Sequence, residues 1–132
     1  MTETRRLAIF SDLHANAVAA ELFAADVATR QPDELIFLGD ALTYGCQPRE
    51  TLQILEELQR KYPVRFVLGN HDWYYLAGSD SVARNSLPSW IKESLSWTES
   101  RIPLAALKNF PWVEEYACGS VLFRHASLAA LS

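Results

Sequence analysis

Three short stretches decide how this chain folds: residues 7–14 read LAIFSDLH, residues 34–40 read ELIFLGD, and residues 64–72 read VRFVLGNHD. Each begins with a short, mostly apolar run that is typical of a buried strand, and each ends in polar side chains. Residues 15–30 and 48–62 lie between them and carry apolar side chains at helical spacing, so the first half predicts the order β-α-β-α-β. Parallel strands end at one edge of a sheet, so the three polar clusters should converge.

The apolar positions also predict which face of each helix is buried. In the first helix they are Val18, Ala19, Leu22, Phe23 and Val27; in the second, which Pro48 opens, they are Leu52, Leu55, Leu58 and Tyr62. The second half of the chain is less regular. It predicts a loop over 79–86, a helix over 88–99, a short helix near 104–107, and a hairpin with strands 113–116 and 121–125 around a turn at 117–120.

Composition limits the class of protein. With 132 residues, 49% of them apolar, the chain is expected to form a single domain over residues 1–132. Its net charge is −4 and its basic residues are scattered, which disfavours a dedicated duplex-binding surface, so nucleic acid is not expected as a partner except as a substrate. No apolar run approaches the roughly 20 residues of a membrane span, and none near the amino end is long enough for a signal peptide. These two observations favour a cytoplasmic protein. Cys46 and Cys118 lie far apart without a C-x-x-C spacing, which indicates neither a zinc site nor a disulfide framework, so we expect reduced thiols.

The polar clusters contain side chains that bind metals. Asp12 and His14 leave the first strand on the same side, and mixed oxygen and nitrogen ligands suit manganese, iron, zinc or nickel. Asp40 follows the second strand, where one carboxylate can bridge two cations about 3.5 to 4 Å apart. After the third strand, Asn70 offers a neutral oxygen ligand and His71 a proton donor. Asp72 then follows as an acid that can orient the His71 imidazole.

Each cluster alone also fits ordinary structure. Asp12 can cap a helix, Asp40 can lie in a glycine turn, and Asn70 can adopt a left-handed turn with Asp72 as a helix cap. Their occurrence in order, each directly after a strand of one β-α-β-α-β unit, favours a common site.

The sequence D-x-H, then G-D, then G-N-H-D, from Asp12 to Asp72, resembles the signature of the calcineurin-like metallophosphoesterases. Residues 11–16, and Tyr44-Gly45 followed by Pro48, resemble the bacterial and archaeal phosphodiesterase branch. The resemblance implies an α/β (α+β) fold, the four-layer α/β/β/α sandwich of that family. It also implies a hydrolase that uses two divalent metal ions, with manganese preferred over iron, zinc or nickel, to cleave a phosphate ester, more specifically a diester.

The resemblance also implies roles for individual residues. Asp12 and His14 would hold the first metal ion, Asp40 would bridge both, and His71 would protonate the leaving oxygen or stabilise its charge while Asp72 steadies His71. Asn70 would hold the second ion together with His125, because residues 121–127 resemble a strand that delivers a metal-binding histidine in that branch. The alternative for His125 is an ordinary surface residue at the end of a strand.

The chain departs from the family pattern after His125. The family completes its metal site with histidines near the carboxyl end, whereas no histidine follows His125 here, and the second sheet would be incomplete. One alternative is a shortened phosphoesterase whose open sheet is covered by a second copy, as a homo-oligomer. The other is a scaffold with the same fold that has lost hydrolysis and binds a protein.

Five aromatic residues between positions 73 and 97 could pack in the core, cover the site or stack on a ligand. They are Trp73, Tyr74, Tyr75, Trp90 and Trp97, and they lack basic neighbours, so core or lid packing is favoured over stacking on single-stranded nucleic acid. If residues 73–97 form a lid over the metals, this segment would shape the choice of substrate.

Overall fold

The computed structural model describes residues 4–126. The strands in this range are β1 (Leu7–Phe10), β2 (Glu34–Phe37), β3 (Val64–Val67), β4 (Trp112–Val113), β5 (Tyr116–Cys118) and β6 (Val121–Phe123). The helices are α1 (Ala17–Arg30), α2 (Pro48–Lys61), α3 (Asn70–Ala77), α4 (Val82–Asn85), α5 (Ser89–Glu99) and α6 (Leu104–Lys108). None of the helices described here is long and apolar enough to cross a membrane.

Two sheets form the framework. The first contains β1, β2, β3 and β4 in that order, and all of its pairings are parallel. The second is the antiparallel hairpin of β5 and β6. The β-α-β-α-β order is confirmed, and with it the mixed α/β fold class. Because β1, β2 and β3 run in the same direction, the loops that follow them lie at one edge of the first sheet.

The two faces of the first sheet have different partners. Leu35 and Phe37 of β2 belong to the large apolar cluster that includes residues from the helices. Ile36, which lies between them in β2, belongs to a smaller cluster with Val67 of β3 and Phe123 of β6. Side chains alternate between the two faces of a strand, so helices cover one face and the hairpin covers the other. The result is an α/β/β order of layers, with two strands of the second sheet described.

A buried carboxylate connects the two sheets. Glu34, at the start of β2, is almost fully buried and accepts hydrogen bonds from Arg5 at 2.8 Å, Arg65 at 2.8 Å and the Tyr116 hydroxyl at 3.1 Å. The Arg65 guanidinium also lies 4.9 Å from the centre of the Tyr116 ring. Because Tyr116 belongs to β5, these contacts hold the hairpin against the first sheet.

The buried face of α1 agrees with the prediction only in part: Val27 is buried and Phe23 packs against the core, as predicted. Ala17, Ala20 and Val27 are buried, whereas Val18 and Leu22 are 56% and 69% exposed. The helix also begins two residues later than expected, because the Asn16 side chain caps it by accepting a hydrogen bond from Ala19 N at 3.0 Å. Two apolar stripes run along this helix, and the one with the small alanines faces the core. In α2 the expected residues Leu52, Leu55 and Leu58 are buried, as predicted.

Several short elements in the second half also differ from the prediction. The expected loop over 79–86 contains the one-turn helix α4, which Ser81 caps. The first strand of the hairpin is Tyr116–Cys118 rather than 113–116, because Trp112–Val113 pairs with β3 instead. Helix α3 was not predicted, since its first residues read as a turn. Helices α5 and α6 agree with the prediction to within about one residue.

Candidate metal centre

The loops that follow β1 and β2 are joined to each other by backbone hydrogen bonds. Asp12 N donates to Gly39 O at 2.9 Å, His14 N to Asp40 O at 3.0 Å, and Ala15 N to Ala41 O at 2.8 Å. This arrangement extends the pairing of the two strands beyond the sheet. It therefore fixes the backbone of Asp12, His14 and Asp40 in position relative to one another.

Two glycines allow the loop after β3, the third loop, to lie close to the loop after β2, the second loop. Gly39 has φ +94°, and a Cβ atom there would lie 2.4 Å from Gly69 N. A Cβ atom on Gly69 would lie 2.3 Å from Asp40 Oδ1. Both distances are far shorter than real contacts, so any side chain at either position would push the second and third loops apart. Steric crowding therefore explains why glycine occupies these two positions of the G-D and G-N-H-D motifs.

The loop backbone is unusual at the residues that form the site. Asp12, His14, Asp40, Thr43 and Tyr44 have φ values of 57°, 46°, 61°, 80° and 70°, all in the left-handed region. Non-glycine residues rarely adopt this region, and a β-branched residue such as Thr43 does so least readily. Such conformations persist where the surrounding structure enforces them, and they concentrate at functional sites.

Five predicted ligands come together as two overlapping groups. In the first group, His14 Nε2 lies 3.3 Å from Asp12 Oδ1 and 3.6 Å from Asp40 Oδ2. In the second, His125 Nε2 lies 3.2 Å from the same Asp40 Oδ2 and 3.1 Å from Asn70 Oδ1. Atoms bound to one cation at about 2.1 Å lie about 3.0 to 3.4 Å apart, so the spacing suits metal ligands. Asp12, Asp40 and His125 also offer ligand atoms within 4.8 Å of one another.

Hydrogen bonds on the far side of each ring show which nitrogen carries a ring hydrogen. His14 Nδ1 lies 3.0 Å from Leu42 O, and His125 Nδ1 lies against Leu38 O. A carbonyl oxygen can only accept, so Nδ1 carries the hydrogen in both rings, and Nε2 of the neutral ring presents a lone pair. This lone pair faces carboxylate oxygens, which are also acceptors. A cation between them, or a further proton, is needed to make these contacts favourable, so the side chains fit a divalent metal.

His71 lies beside these ligands and faces a different set of partners. Its Nδ1 lies 3.1 Å from Thr43 Oγ1, which in turn lies 2.6 Å from the Tyr75 hydroxyl. Its Nε2 lies 3.2 Å from the Tyr44 hydroxyl. Burial lowers the pKa of His71, so the ring is neutral near pH 7 and carries a single hydrogen. Burial also raises the pKa of Tyr75 to about 12, which keeps that hydroxyl protonated.

Asp72 has a different position from the one expected. Its carboxylate accepts hydrogen bonds from Gly69 N at 2.9 Å, Asp40 N at 2.8 Å and Ala41 N at 3.0 Å, and burial raises its pKa to about 7. The expectation that Asp72 steadies the His71 ring is therefore wrong. Asp72 is the third residue of α3, so its side chain points back to the start of the helix, as in a capping box. It connects the second and third loops instead.

Sequence reasoning missed Thr43 as the residue that contacts the His71 ring. Thr43 and His71 are 28 positions apart and come into contact only because the second and third loops pack against each other. The sequence contains one signal, which is that Thr43 lies within the polar loop after the G-D motif. That signal does not distinguish Thr43 from its neighbours.

Tyr44 connects the ligands to helix α5. Its ring centre lies 5.0 Å from that of His14, 5.0 Å from that of His71 and 5.9 Å from that of Trp90 in α5. Its backbone N donates to Ser94 Oγ, also in α5, at 3.0 Å. Part of the segment 73–97 therefore lies beside the site, as the lid hypothesis requires.

Comparison with known proteins assigns the chain to a family. Residues 5–128 match the model for the calcineurin-like phosphoesterases. The chain belongs to this family. Among solved structures, it resembles a metallophosphoesterase from Sphaerobacter thermophilus with a TM-score of 0.63 and 27% identity, over 91% of this chain and 46% of the other. It shares the fold of a phosphoesterase from E. coli, with a TM-score of 0.56 and 20% identity, over 93% of this chain and 58% of that one.

Two curated relatives are longer than the chain. An uncharacterized protein of Methanocaldococcus jannaschii is 29% identical over 92% of this chain and 49% of its own length. A symmetrical bis(5′-nucleosyl)-tetraphosphatase of Shewanella loihica is 32% identical over 73% of this chain and 34% of its own length. The chain therefore spans half or less of the curated relatives that it matches. Members of this phosphoesterase family bind divalent metals, and the ligand geometry described above agrees with that property.

Proposed function

We propose that the chain is a phosphodiesterase that uses two divalent metal ions, with manganese preferred, to hydrolyse a phosphate diester. One observation carries the proposal: Asp40 Oδ2 lies near both His14 Nε2 and His125 Nε2, so a single carboxylate belongs to both groups of ligands. A shared carboxylate is typical of two-metal hydrolases. Asp12, His14 and Asp40 would hold one ion, and Asp40, Asn70 and His125 the other.

The chemistry that bound divalent ions supply is neutralisation of the phosphate charge and activation of water near neutral pH. The other tasks belong to side chains. His71 lies beside the ligands with Nε2 directed towards Tyr44. We assign it the task of donating a hydrogen bond from Nε2 to the oxygen that leaves with negative charge. A neutral imidazole is a weak acid but a good hydrogen-bond donor, so charge stabilisation suits it better than full proton transfer.

This task requires the hydrogen of His71 on Nε2, and the contacts of Nδ1 support that placement. A phenol is a stronger donor than an alcohol, so we assign the Tyr75 hydroxyl as donor to Thr43 Oγ1. Thr43 then donates its own hydrogen to His71 Nδ1, which leaves the ring hydrogen on Nε2. Thr43 and Tyr75 would thereby position His71 without touching the substrate. Asp72 would hold the loops that carry Asp40 and His71 together.

The proposal is tested by hydrolysis of bis(p-nitrophenyl) phosphate with added manganese. Asp40→Asn keeps the size of the side chain and its contact from His71 N at 3.0 Å, but removes the charge shared by both groups. We expect the rate to fall more than about 100-fold, since a bridging ligand is lost. Asp26→Asn is the matched control, because Asp26 is exposed in α1 and pairs with Arg30.

Equal rates for the wild-type and Asp40→Asn proteins would contradict the proposal. Manganese binding without hydrolysis would instead favour the alternative of a scaffold that has kept the fold and lost the reaction. Circular dichroism of both variants verifies that the fold is retained.

A further inference from the structure

Two exposed aromatic rings extend from the metal site towards solvent. Tyr44 is 48% exposed and Trp90 is 61% exposed, and their ring centres lie 5.9 Å apart with an angle of 32° between the planes. We call this pair the aromatic shelf. Large aromatic side chains usually bury most of their surface, as Tyr75 does in this chain, so two neighbouring exposed rings offer an apolar surface for a ligand.

The aromatic shelf begins at the residues that would act on the substrate. The Tyr44 hydroxyl lies 3.2 Å from His71 Nε2, the atom that we assign as donor to the leaving oxygen. The Tyr44 ring also lies 5.0 Å from the ring of the proposed ligand His14. A group attached to the phosphate on the side of His71 would therefore meet the Tyr44 ring first and the Trp90 ring beyond it.

The local structure holds the shelf in place. Tyr44 has φ 70°, and its backbone N donates to Ser94 Oγ in α5, the helix that also carries Trp90. The Tyr44 backbone is thus held to the helix that carries Trp90. Rigid rings lose little conformational freedom when a ligand binds, which favours stacking.

We propose that the aromatic shelf binds a planar aromatic group of the phosphate ester by stacking, next to the phosphorus atom. This inference rests on the proposed function, and it adds the class of substrate: an aryl ester or a nucleotide rather than an ester with a purely aliphatic or sugar group. Trp90 is the residue that tests the shelf, because its ring is the more exposed and Tyr44 also contacts His71 and His14.

Direct binding tests this inference independently of hydrolysis. The manganese-loaded 132-residue chain is titrated calorimetrically with phenylphosphonate and with methylphosphonate, whose P–C bonds are not cleaved by a phosphoesterase. We expect the wild-type protein to bind phenylphosphonate at least about fivefold more tightly, as stacking on an aromatic side chain predicts. In Trp90→Ala this preference should be largely lost.

Trp97→Ala is the matched control for Trp90→Ala. Trp97 lies on the same helix and is partly exposed, but it stacks on Arg101 with the guanidinium 5.1 Å from the ring centre. This variant should keep the wild-type preference. A parallel titration with adenosine 5′-monophosphate and ribose 5-phosphate separates the two sources of an aromatic group. A preference confined to adenosine 5′-monophosphate would identify a nucleobase, and one confined to phenylphosphonate would identify a directly attached ring.

The outcomes separate the inference from the proposed function. If Trp90→Ala keeps the aromatic preference, or if the wild-type protein has none in either pair, the aromatic shelf is overturned while the phosphate site stands. If the manganese-loaded chain binds none of the four compounds, both the phosphate site and the aromatic shelf are overturned.

Discussion

Thr43 carries an unusual combination of properties for a single residue. It is fully buried, it is β-branched with φ 80°, and its hydroxyl lies between the Tyr75 hydroxyl and His71 Nδ1. A buried hydroxyl with two polar neighbours fixes the direction of the hydrogen bonds around it. In our account, this direction keeps the hydrogen of His71 on Nε2, where it can stabilise the leaving oxygen.

Removal of the Thr43 hydroxyl should therefore impair His71. Thr43→Val keeps the shape and the branching at Cβ but breaks the relay from Tyr75. We expect kcat for the diester to fall about tenfold with little change in KM, as is typical when a group that orients an active residue is lost. We also expect the 15N chemical shifts of His71 to move towards a mixture of tautomers, which NMR resolves readily with three histidines.

The matched control for Thr43→Val is Thr51→Val. Thr51 is a second fully buried threonine, and its hydroxyl donates to the backbone oxygen of Gln47, the residue before α2, rather than to a neighbour of His71. This variant should leave kcat and the His71 shifts as they are in the wild-type protein. Wild-type kcat together with unchanged His71 shifts in Thr43→Val would overturn the assigned relay.

For single residues, the sequence predicted where the proposed ligands lie better than it predicted their supporting contacts. Asp12, His14, Asp40 and Asn70 follow strands directly, so the direction of each strand places them. Thr43 and Tyr44 lie further into a loop, and their positions depend on left-handed backbone and on contacts with α3 and α5. Those contacts join residues that are 27 to 50 positions apart, which local patterns do not encode.

Elements of secondary structure are connected here by a few polar contacts in addition to apolar packing. The clearest case is Glu34 of β2, which accepts hydrogen bonds from Arg65 of β3 and from Tyr116 of β5. The hairpin of β5 and β6 leads directly to His125, whose ring lies against Leu38 just after β2. The same hairpin is thus held to the first sheet both at Glu34 and at His125.

Loss of the Glu34 charge should weaken this connection. Glu34→Gln keeps the size of the side chain but removes a buried carboxylate that has three donors. We expect the free energy of unfolding to fall by about 1 to 2 kcal/mol, because Arg5 and Arg65 are about half exposed and can return to water. Urea denaturation measures the change, and Glu57→Gln on the exposed side of α2 is the control. A midpoint equal to that of the control would show that Glu34 does not stabilise the fold.

The strands and helices also differed in how well the sequence predicted them. The strands β1, β2 and β3 and the helix α2 were predicted because their apolar patterns are long or strictly bounded. Helix α1 was found, and Val27 and Phe23 of its predicted face pack in the core, but Val18 and Leu22 are exposed because Ala17 and Ala20 face the core instead. The one-turn helix α4 and the two-residue strand β4 are too short to show a period.

At the scale of the whole molecule, the proposed site is built from both sheets and from positions far apart in the chain. Asp12 and His125 approach each other because the first strand and the hairpin both end near Asp40. The general position of the site followed from the parallel order of the strands. The approach of His125 depended on the hairpin packing across the first sheet through Phe123, Ile36 and Val67, which the sequence alone did not specify.

The chain spans half or less of its curated relatives, and a homo-oligomer that covers the open sheet stays a prediction. Within the described residues, β1 forms an edge of the first sheet, and Ile9 on that strand is about half exposed. An open edge of this kind can pair with another strand. The proposed metal site lies at the ends of the strands rather than along this edge.

We propose that two metal ions share Asp40, and the number of metal ions bound per chain tests this proposal. The purified chain is loaded with manganese, dialysed exhaustively and analysed for manganese per chain, with Asp26→Asn as the control. We expect about two manganese ions per chain in the wild-type and control proteins, and clearly fewer in Asp40→Asn. One ion or none in the wild-type protein would contradict the shared site.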